Sequence, residues 1–426
     1  MPAPIRVYLD VENTLRVPFI SGIQRVVREL SRRLIDNNDS EFEFIPVVYC
    51  SYCNGWRRLS VDETEQLQEL SLSDAIVNHD IPAYRKIATK LLGKKVKAKV
   101  RSHFKRITHP VWHKNLLLPN FEAGSIFLDL DASWHNELKR SSLLPALKED
   151  GVYVVAFHYD IIPILFPDLM HEKLPPLFIE HLNAHLQECD LFICISRNSE
   201  IDLLNYSNNQ FPDKKLNTTT IKLGADMFQV SEANVTWPLP EVNLRYILCV
   251  GTIEPRKNYN LILDAFDFLS GIYQDLNLVI VGREGWGSAE TFSRIKEHKL
   301  FGQRLFWLSG VSDDVLSRLY MNAFLTVVPS LYEGFGLPVI EALKWGCVTL
   351  SSSRGALTEA GGNFVEYFDP DDQSALVGLL ESYLSSNDRE INKVFLKKYN
   401  VPSWTDTVVE LKRILNDSFS FQGSHM

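Results

Sequence analysis

Short apolar runs rich in Val, Ile, Tyr and Phe alternate along most of this chain with stretches of helical period. In the first half they predict strands over 5–11, 42–49, 125–129, 153–157, 191–195 and 219–223. Helical periods run over 22–35, 171–187 and 198–204. In the second half strands are expected over 246–250, 278–281, 305–308, 324–328 and 348–351, separated by helices of ~8–14 residues. Strands and helices alternating at this spacing indicate parallel sheets with helices on both faces. Residues 230–244 carry Pro238 and Pro240 with little periodicity and read as a linker. The expectation is an α/β chain of two Rossmann-like, doubly wound domains, 1–232 and 245–400, with a terminal helix over 401–417. Ligands of such sheets bind at the carboxyl ends of the strands, so two facing domains would make a cleft.

Length agrees with that plan, because 426 residues are too many for one simple core. A net charge of −9 gives no general reason to bind nucleic acid. No apolar run approaches the ~18–20 residues of a membrane-spanning helix, and the first residues show no signal-peptide pattern. A cytoplasmic protein is expected. Six scattered cysteines fit that compartment, and Cys50-Ser-Tyr-Cys53 has no second ligand pair at zinc-site spacing.

One segment departs from the acidic balance. Residues 85–114 hold eleven Lys and Arg and no acidic residue. Leu92, Val96, Val100, Phe104 and Ile107 fall on one helical arc, with Lys94, Lys99, Arg101 and Lys105 among the residues around the remainder. Two readings stay open: a helix lying on an anionic membrane surface, or a helix packed on its own domain with a solvated basic face.

The strongest chemical signal is Pro329-Ser-Leu-Tyr-Glu333-Gly-Phe-Gly336-Leu337-Pro338-Val-Ile-Glu341. An apolar strand ends in a glycine-containing loop, and Pro338 stands where a helix takes its first residues. Backbone N–H groups at Gly336 and Leu337 would then form an anion site at a helix N-terminus. Glu333 lies on the loop and Glu341 about one turn inside the helix. A carboxylate aimed at phosphate would repel it, so both acids should face hydroxyls of a sugar or ribose. The plainer reading is a helix with an early acidic residue that complements its dipole.

A second motif, Cys249-Val250-Gly251-Thr-Ile-Glu254-Pro-Arg256-Lys257-Asn258, follows the first strand of the second half. Gly251 permits close backbone approach. Arg256 and Lys257 place two cations before a helix, where the dipole disfavours them, and such a pair suits a diphosphate.

These residues resemble the retaining glycosyltransferases of family 4, bacterial polysaccharide-type enzymes with the GT-B fold. Glu333 and Glu341 match that family's two acids with seven residues between them. The resemblance implies that Arg256 and Lys257 hold a donor diphosphate, that Glu341 contacts the nucleotide ribose, and that Glu333 contacts the transferred sugar. Leu308-Ser-Gly310-Val311-Ser312 is similar to the family's loop near the nucleotide base. Asp10-Val-Glu-Asn-Thr with Ser21-Gly22-Ile23-Gln24 is similar to its first strand and glycine loop, although Gln24 stands where a second glycine is frequent. Val154-Val-Ala-Phe-His158-Tyr-Asp160 is similar to its strand ending in a histidine beside the reacting sugar, with Tyr159 intervening before Asp160. A terminal helix crossing back onto the first domain is also implied.

The implied activity is transfer of a hexose, mannose or rhamnose, from a nucleotide-diphospho-sugar with retention of configuration. The acceptor would be a glycan, lipid-linked if 85–114 meets a membrane, in bacterial surface polysaccharide or O-antigen synthesis. Asp129-Leu-Asp131 and Asp369-Pro-Asp371 allow a metal-diphosphate reading, but enzymes of this fold rely on basic residues and helix dipoles, so no metal or other cofactor is expected. A sugar-nucleotide epimerase, a glycan phosphorylase and a non-catalytic sugar-nucleotide-binding partner remain as alternatives.

Overall fold

Strands buried on both faces need no alternation of polar and apolar residues, and the runs of this chain behave that way. The computed structural model describes residues 3–17, 22–35, 40–51, 53–68, 116–118, 120–226, 237–240, 244–385 and 396–423. The basic segment 85–114 and most of the expected linker lie outside the described residues.

Two sheets carry the fold. The first joins β1 (Ile5–Asp10), β2 (Phe42–Cys50), β3 (Gly55–Arg58), β4 (Ile126–Asp129), β5 (Tyr153–His158), β6 (Leu191–Cys194) and β7 (Thr218–Thr220) in the order β3-β2-β1-β4-β5-β6-β7. The second joins β8 (Arg245–Val250), β9 (Leu276–Val281), β10 (Leu305–Leu308), β11 (Leu325–Val328), β12 (Thr349–Ser352) and β13 (Glu366–Phe368) in the order β10-β9-β8-β11-β12-β13. Neighbouring strands of the second sheet are parallel throughout. Its order is that of a doubly wound nucleotide-binding sheet, and it reverses between β8 and β11. In the first sheet β1 lies parallel to both β2 and β4, so the order reverses between β1 and β4. The chain divides into two compact units, residues 1–157 with 181–190, and residues 158–180 with 191–426.

Helices cover both faces of the second sheet. Ile247, Cys249, Leu278 and Ile280 pack on one side with Leu263, Phe266, Leu376 and Leu380. Tyr246, Leu248, Val279 and Val281 face the other way, against Leu316, Leu319, Tyr320 and Ala342. Adjacent residues of one strand therefore serve different cores, as the two-residue period of a strand requires.

Two strands escape the pattern reading. β3 (Gly-Trp-Arg-Arg) is short and half basic, and it exists because β2 turns back antiparallel onto it. The Cys50–Cys53 string is that turn, with the Cys53 N–H bonded to the Cys50 carbonyl at 3.1 Å. All six cysteines are free thiols. β13 spans only three residues.

The terminal helix runs Trp404–Gly423. Its first turn is tied to residues 222–226: the Trp404 N–H donates to Asp226 Oδ1 at 2.5 Å, and Thr407 Oγ1 to the Lys222 carbonyl at 2.9 Å. A Cβ on Gly224 would sit 2.2 Å from the Trp404 nitrogen, so glycine is what permits this approach.

Candidate active site

The reversal point of the second sheet gathers the two strongest motifs. β8 runs into Gly251, whose φ of 149° suits glycine. The chain continues through the turn Pro255–Lys257 and, after Asn258 in the left-handed region, into the helix Tyr259–Ile272. Beside it, β11 leads through residues 329–336 into the helix Leu337–Lys344. Gly336 caps that helix with φ 108°, and Pro338 lies in its first turn. Leu357 Cδ2 and Ala360 Cβ stand 3.0 and 3.2 Å from where a Cβ on Gly336 would lie. The first N–H groups of a helix have no partner within it, which leaves a donor-rich end at Gly336 and Leu337.

Arg256, Lys257 and Glu333 meet as one ion cluster. Glu333 Oε2 accepts from the Arg256 guanidinium at 2.6 Å and Oε1 from Lys257 Nζ at 2.5 Å. Ser330 Oγ adds a hydrogen bond to Oε1 at 2.7 Å. Arg256 Nη1 also donates to the Tyr332 carbonyl at 2.8 Å, and Nη2 donates to Glu254 Oε1 at 2.8 Å. Burial pushes the Glu333 carboxyl up, but Arg256 and Lys257 outweigh it and hold it down to about 2. Lys257 lies beside Gly251: a Cβ there would touch Lys257 Cε and the Tyr259 hydroxyl at 3.4 Å.

Glu341 is buried in the Leu337–Lys344 helix and accepts from the Tyr320 hydroxyl at 3.1 Å. Val311 is half-buried against the core of Tyr246, Leu248 and Val281, next to Gly310 in the left-handed region. His158 ends β5, buried, with its carbonyl accepting from the Ile195 N–H at 3.1 Å and its ring edge-on to Phe192. Two residues on, Asp160 accepts from the Ile162 N–H at 3.0 Å, and a Cβ on Gly334 would lie 2.8 Å from its side chain. Burial pushes the Asp160 carboxyl up to about 6, Glu333 adding to the effect and Arg256 opposing it.

In the first unit, Gly22 is exposed and opens the helix Gly22–Ile35. Gln24 is buried and donates to Asn13 Oδ1 at 3.3 Å, a contact that a glycine there could not make. The Asp129-Leu-Asp131 string is engaged by protein groups. Arg140 bridges Asp10 and Asp129, and His185 Nε2 lies 2.8 Å from Asp129 Oδ2. Asp131 accepts from the Thr14 N–H and hydroxyl at 2.5 and 3.0 Å. The Asp369-Pro-Asp371 string pairs with Arg354 at 2.9 and 2.5 Å. Among the described residues, no group of three or more His, Cys, Asp or Glu is placed to hold a metal ion.

Several residues around Glu333 carry no motif signal. The Tyr332 hydroxyl donates to Asp202 Oδ2 at 2.6 Å and accepts from Asn198 Nδ2 at 2.8 Å. Ser196 and Ser199 both donate to the Gly334 carbonyl, at 2.7 and 2.9 Å. These partners lie 130 or more residues away in sequence, so spacing alone does not reveal them. The Ser330-x-x-Glu333 spacing was visible in the sequence and is the one signal that could have found a partner.

Residues 237–397 match the family model of glycosyl transferases group 1. The serotype-specific mannosyltransferase WbdA of Escherichia coli is 25% identical over 279 residues, 62% of this chain and 34% of that protein. This chain thus spans about a third of the length of those relatives. The O-antigen chain mannosyltransferase B of Escherichia coli is 30% identical over 247 residues, 56% of this chain and 63% of that protein. Among solved structures, sucrose-phosphate synthase from Thermosynechococcus elongatus superposes with a TM-score of 0.62 at 16% identity, over 98% of this chain and 99% of that one. Anabaena HepE, solved in complex with UDP-glucose, gives 0.59 at 13% identity, over 97% and 100%. The chain has the GT-B fold of these solved structures, and its residues 237–397 match the glycosyl transferases group 1 model.

Proposed function

We propose that this chain transfers a hexose, mannose in the first instance, from a nucleotide-diphospho-sugar to a glycan acceptor, with retention of anomeric configuration. The observation that carries the reading is the joining of Arg256, Lys257 and Glu333 at the point where the second sheet reverses, beside a helix N-terminus. The mannosyltransferase names of the sequence relatives support mannose and O-antigen synthesis.

As the glycosidic bond breaks, negative charge develops on the leaving diphosphate. Arg256 and Lys257, once they exchange Glu333 for the diphosphate, and the N–H groups at Gly336 and Leu337 are donors that stabilise such charge. Glu333 and His158 orient the sugar as it gains oxocarbenium character. Glu341, oriented by Tyr320, binds the ribose, and Gly251 and Val311 line the approach of the donor. The leaving phosphate takes the acceptor's proton in this reading, so no protein base is assigned. The acceptor is lipid-linked, with 85–114 meeting anionic lipid; vesicle flotation that is indifferent to lipid charge would remove this part.

The test is a binding screen of UDP-, GDP-, dTDP- and CMP-sugars with Arg256→Ala as control. One sugar nucleotide should bind and be lost in the variant. With that donor, Lys257→Ala and Glu333→Ala should each lower transfer by well over tenfold while circular dichroism stays native; near-normal turnover in either refutes its role. Interconversion of free sugar nucleotides without acceptor would indicate an epimerase instead.

A further inference from the structure

We propose that Glu333 competes with the diphosphate for Arg256 and Lys257, so that the site holds the sugar nucleotide in preference to the nucleoside diphosphate left after transfer. This rests on the reading above that these two cations bind the donor's diphosphate.

Both oxygens of Glu333 are engaged with the cations, Oε2 with Arg256 and Oε1 with Lys257 and Ser330. Glu254 takes a further guanidinium nitrogen. The positive charge of the pair is thus already matched by protein carboxylates. A diphosphate gains the full strength of Arg256 and Lys257 only by replacing Glu333. The exchange falls to the side chain, because the Glu333 backbone is held: its carbonyl accepts from the Ala356 N–H at 2.9 Å. That carbonyl also lies 2.5 Å from where a Cβ on Gly355 would be.

The two ligands differ in what they offer the displaced carboxylate. A sugar nucleotide carries hydroxyls that donate to it, and charge-assisted hydrogen bonds of this kind are about twice as strong as neutral ones. A nucleoside diphosphate or pyrophosphate has no such donors beside the diphosphate, so it meets the competition uncompensated. Glu333 therefore weakens product binding more than donor binding and favours product release.

The experiment is equilibrium binding of inorganic pyrophosphate, UDP and GDP to the wild-type chain and to Glu333→Gln, Glu333→Asp and Arg256→Ala. Glu333→Gln should bind pyrophosphate and the accepted nucleoside diphosphate about tenfold or more tightly than wild type, while its affinity for the sugar nucleotide does not rise. Glu333→Asp keeps the charge but draws it back by one methylene, and should fall between the two. If Glu333→Gln does not fold, the Asp variant carries the test. Affinities equal to or weaker than wild type in the variant tested overturn the competition and leave the proposed function standing. Binding of none of the probes to any variant, wild type included, overturns the assignment of the diphosphate site and this inference with it.

Discussion

Each sheet places an ion cluster at the point where its strand order reverses, and the two clusters differ in how they are closed. At the ends of β1 and β4, the side chains of Arg140, Asp10 and Asp129 are 1%, 0% and 2% exposed. Their partners are protein groups on short tethers: Asn136, the Glu12 N–H and His185. At the ends of β8 and β11, Arg256, Lys257 and Glu333 are 15%, 13% and 10% exposed, and the cations ride on long flexible stems. Sealed charges with rigid partners hold a fold together. Charges at the rim with flexible stems can exchange partners with a ligand. Reversal points are equivalent by topology; burial separates the sealed cluster from the one proposed to bind.

The largest expected effect is on the sealed side. Arg140→Met leaves Asp10 and Asp129 buried without their cation and should cost about 3–5 kcal/mol of stability, read from urea unfolding. Nucleotide affinity of the protein that remains folded should not change. A loss below about 1 kcal/mol, the scale of an exposed ion pair, would erase the contrast.

Proton linkage should give opposite slopes to Glu333 and to two buried acids beside the sealed cluster, Glu12 and Asp131. Asp129, which burial pushes up but Arg140 and His185 hold low, keeps the sign of Glu333. Glu333 drops from its ordinary 4.5 to about 2 on folding. Its pairing therefore contributes stability above pH 4.5 that is lost as pH falls towards 2, on the order of 3 kcal/mol. Glu12 and Asp131 behave in reverse, because burial raises both to about 7. The folded chain holds their protons where the unfolded chain releases them, so stability declines as pH rises from about 4 to 7. Unfolding free energies between pH 3 and 8 check this: Glu333→Gln should flatten the acid limb only, and Glu12→Gln the rising-pH limb only. Similar pH profiles for the two variants would show that Glu333 and Glu12 do not titrate in opposite senses.

The smallest effect sharpens the picture around Glu333. Tyr332→Phe removes the hydroxyl bonded to Asp202 and Asn198 and leaves the Tyr332 carbonyl on Arg256 in place. It should cost about 0.5–1.5 kcal/mol of stability and change pyrophosphate affinity less than threefold. A tenfold loss of affinity would place Tyr332 in the binding machinery.

Much of this arrangement is legible in the residue order. Apolar runs and helical periods located the strands of both sheets except β3 and β13, because parallel strands buried on both faces leave continuous apolar signatures. The helix expected over 22–35 is observed as Gly22–Ile35. Strand-loop-helix spacing also singled out Arg256, Lys257, Glu333 and Glu341, since each lies within a few residues of a strand end or a helix start. The sequence reading kept Glu333 away from the phosphate site, on the ground that a carboxylate repels phosphate. The fold instead seats it on the two cations that were assigned to the phosphate.

Local order along the chain determines period, glycine placement and which charges stand at which strand ends, because those follow from bonded neighbours and backbone sterics. Pairing is a different matter. Glu333 lies 76 residues from Lys257 and 77 from Arg256, and Asp10 lies 130 from Arg140. Only the crossing of strands through the reversal points brings such groups together, and only burial decides whether they stay bound to one another or remain open to exchange.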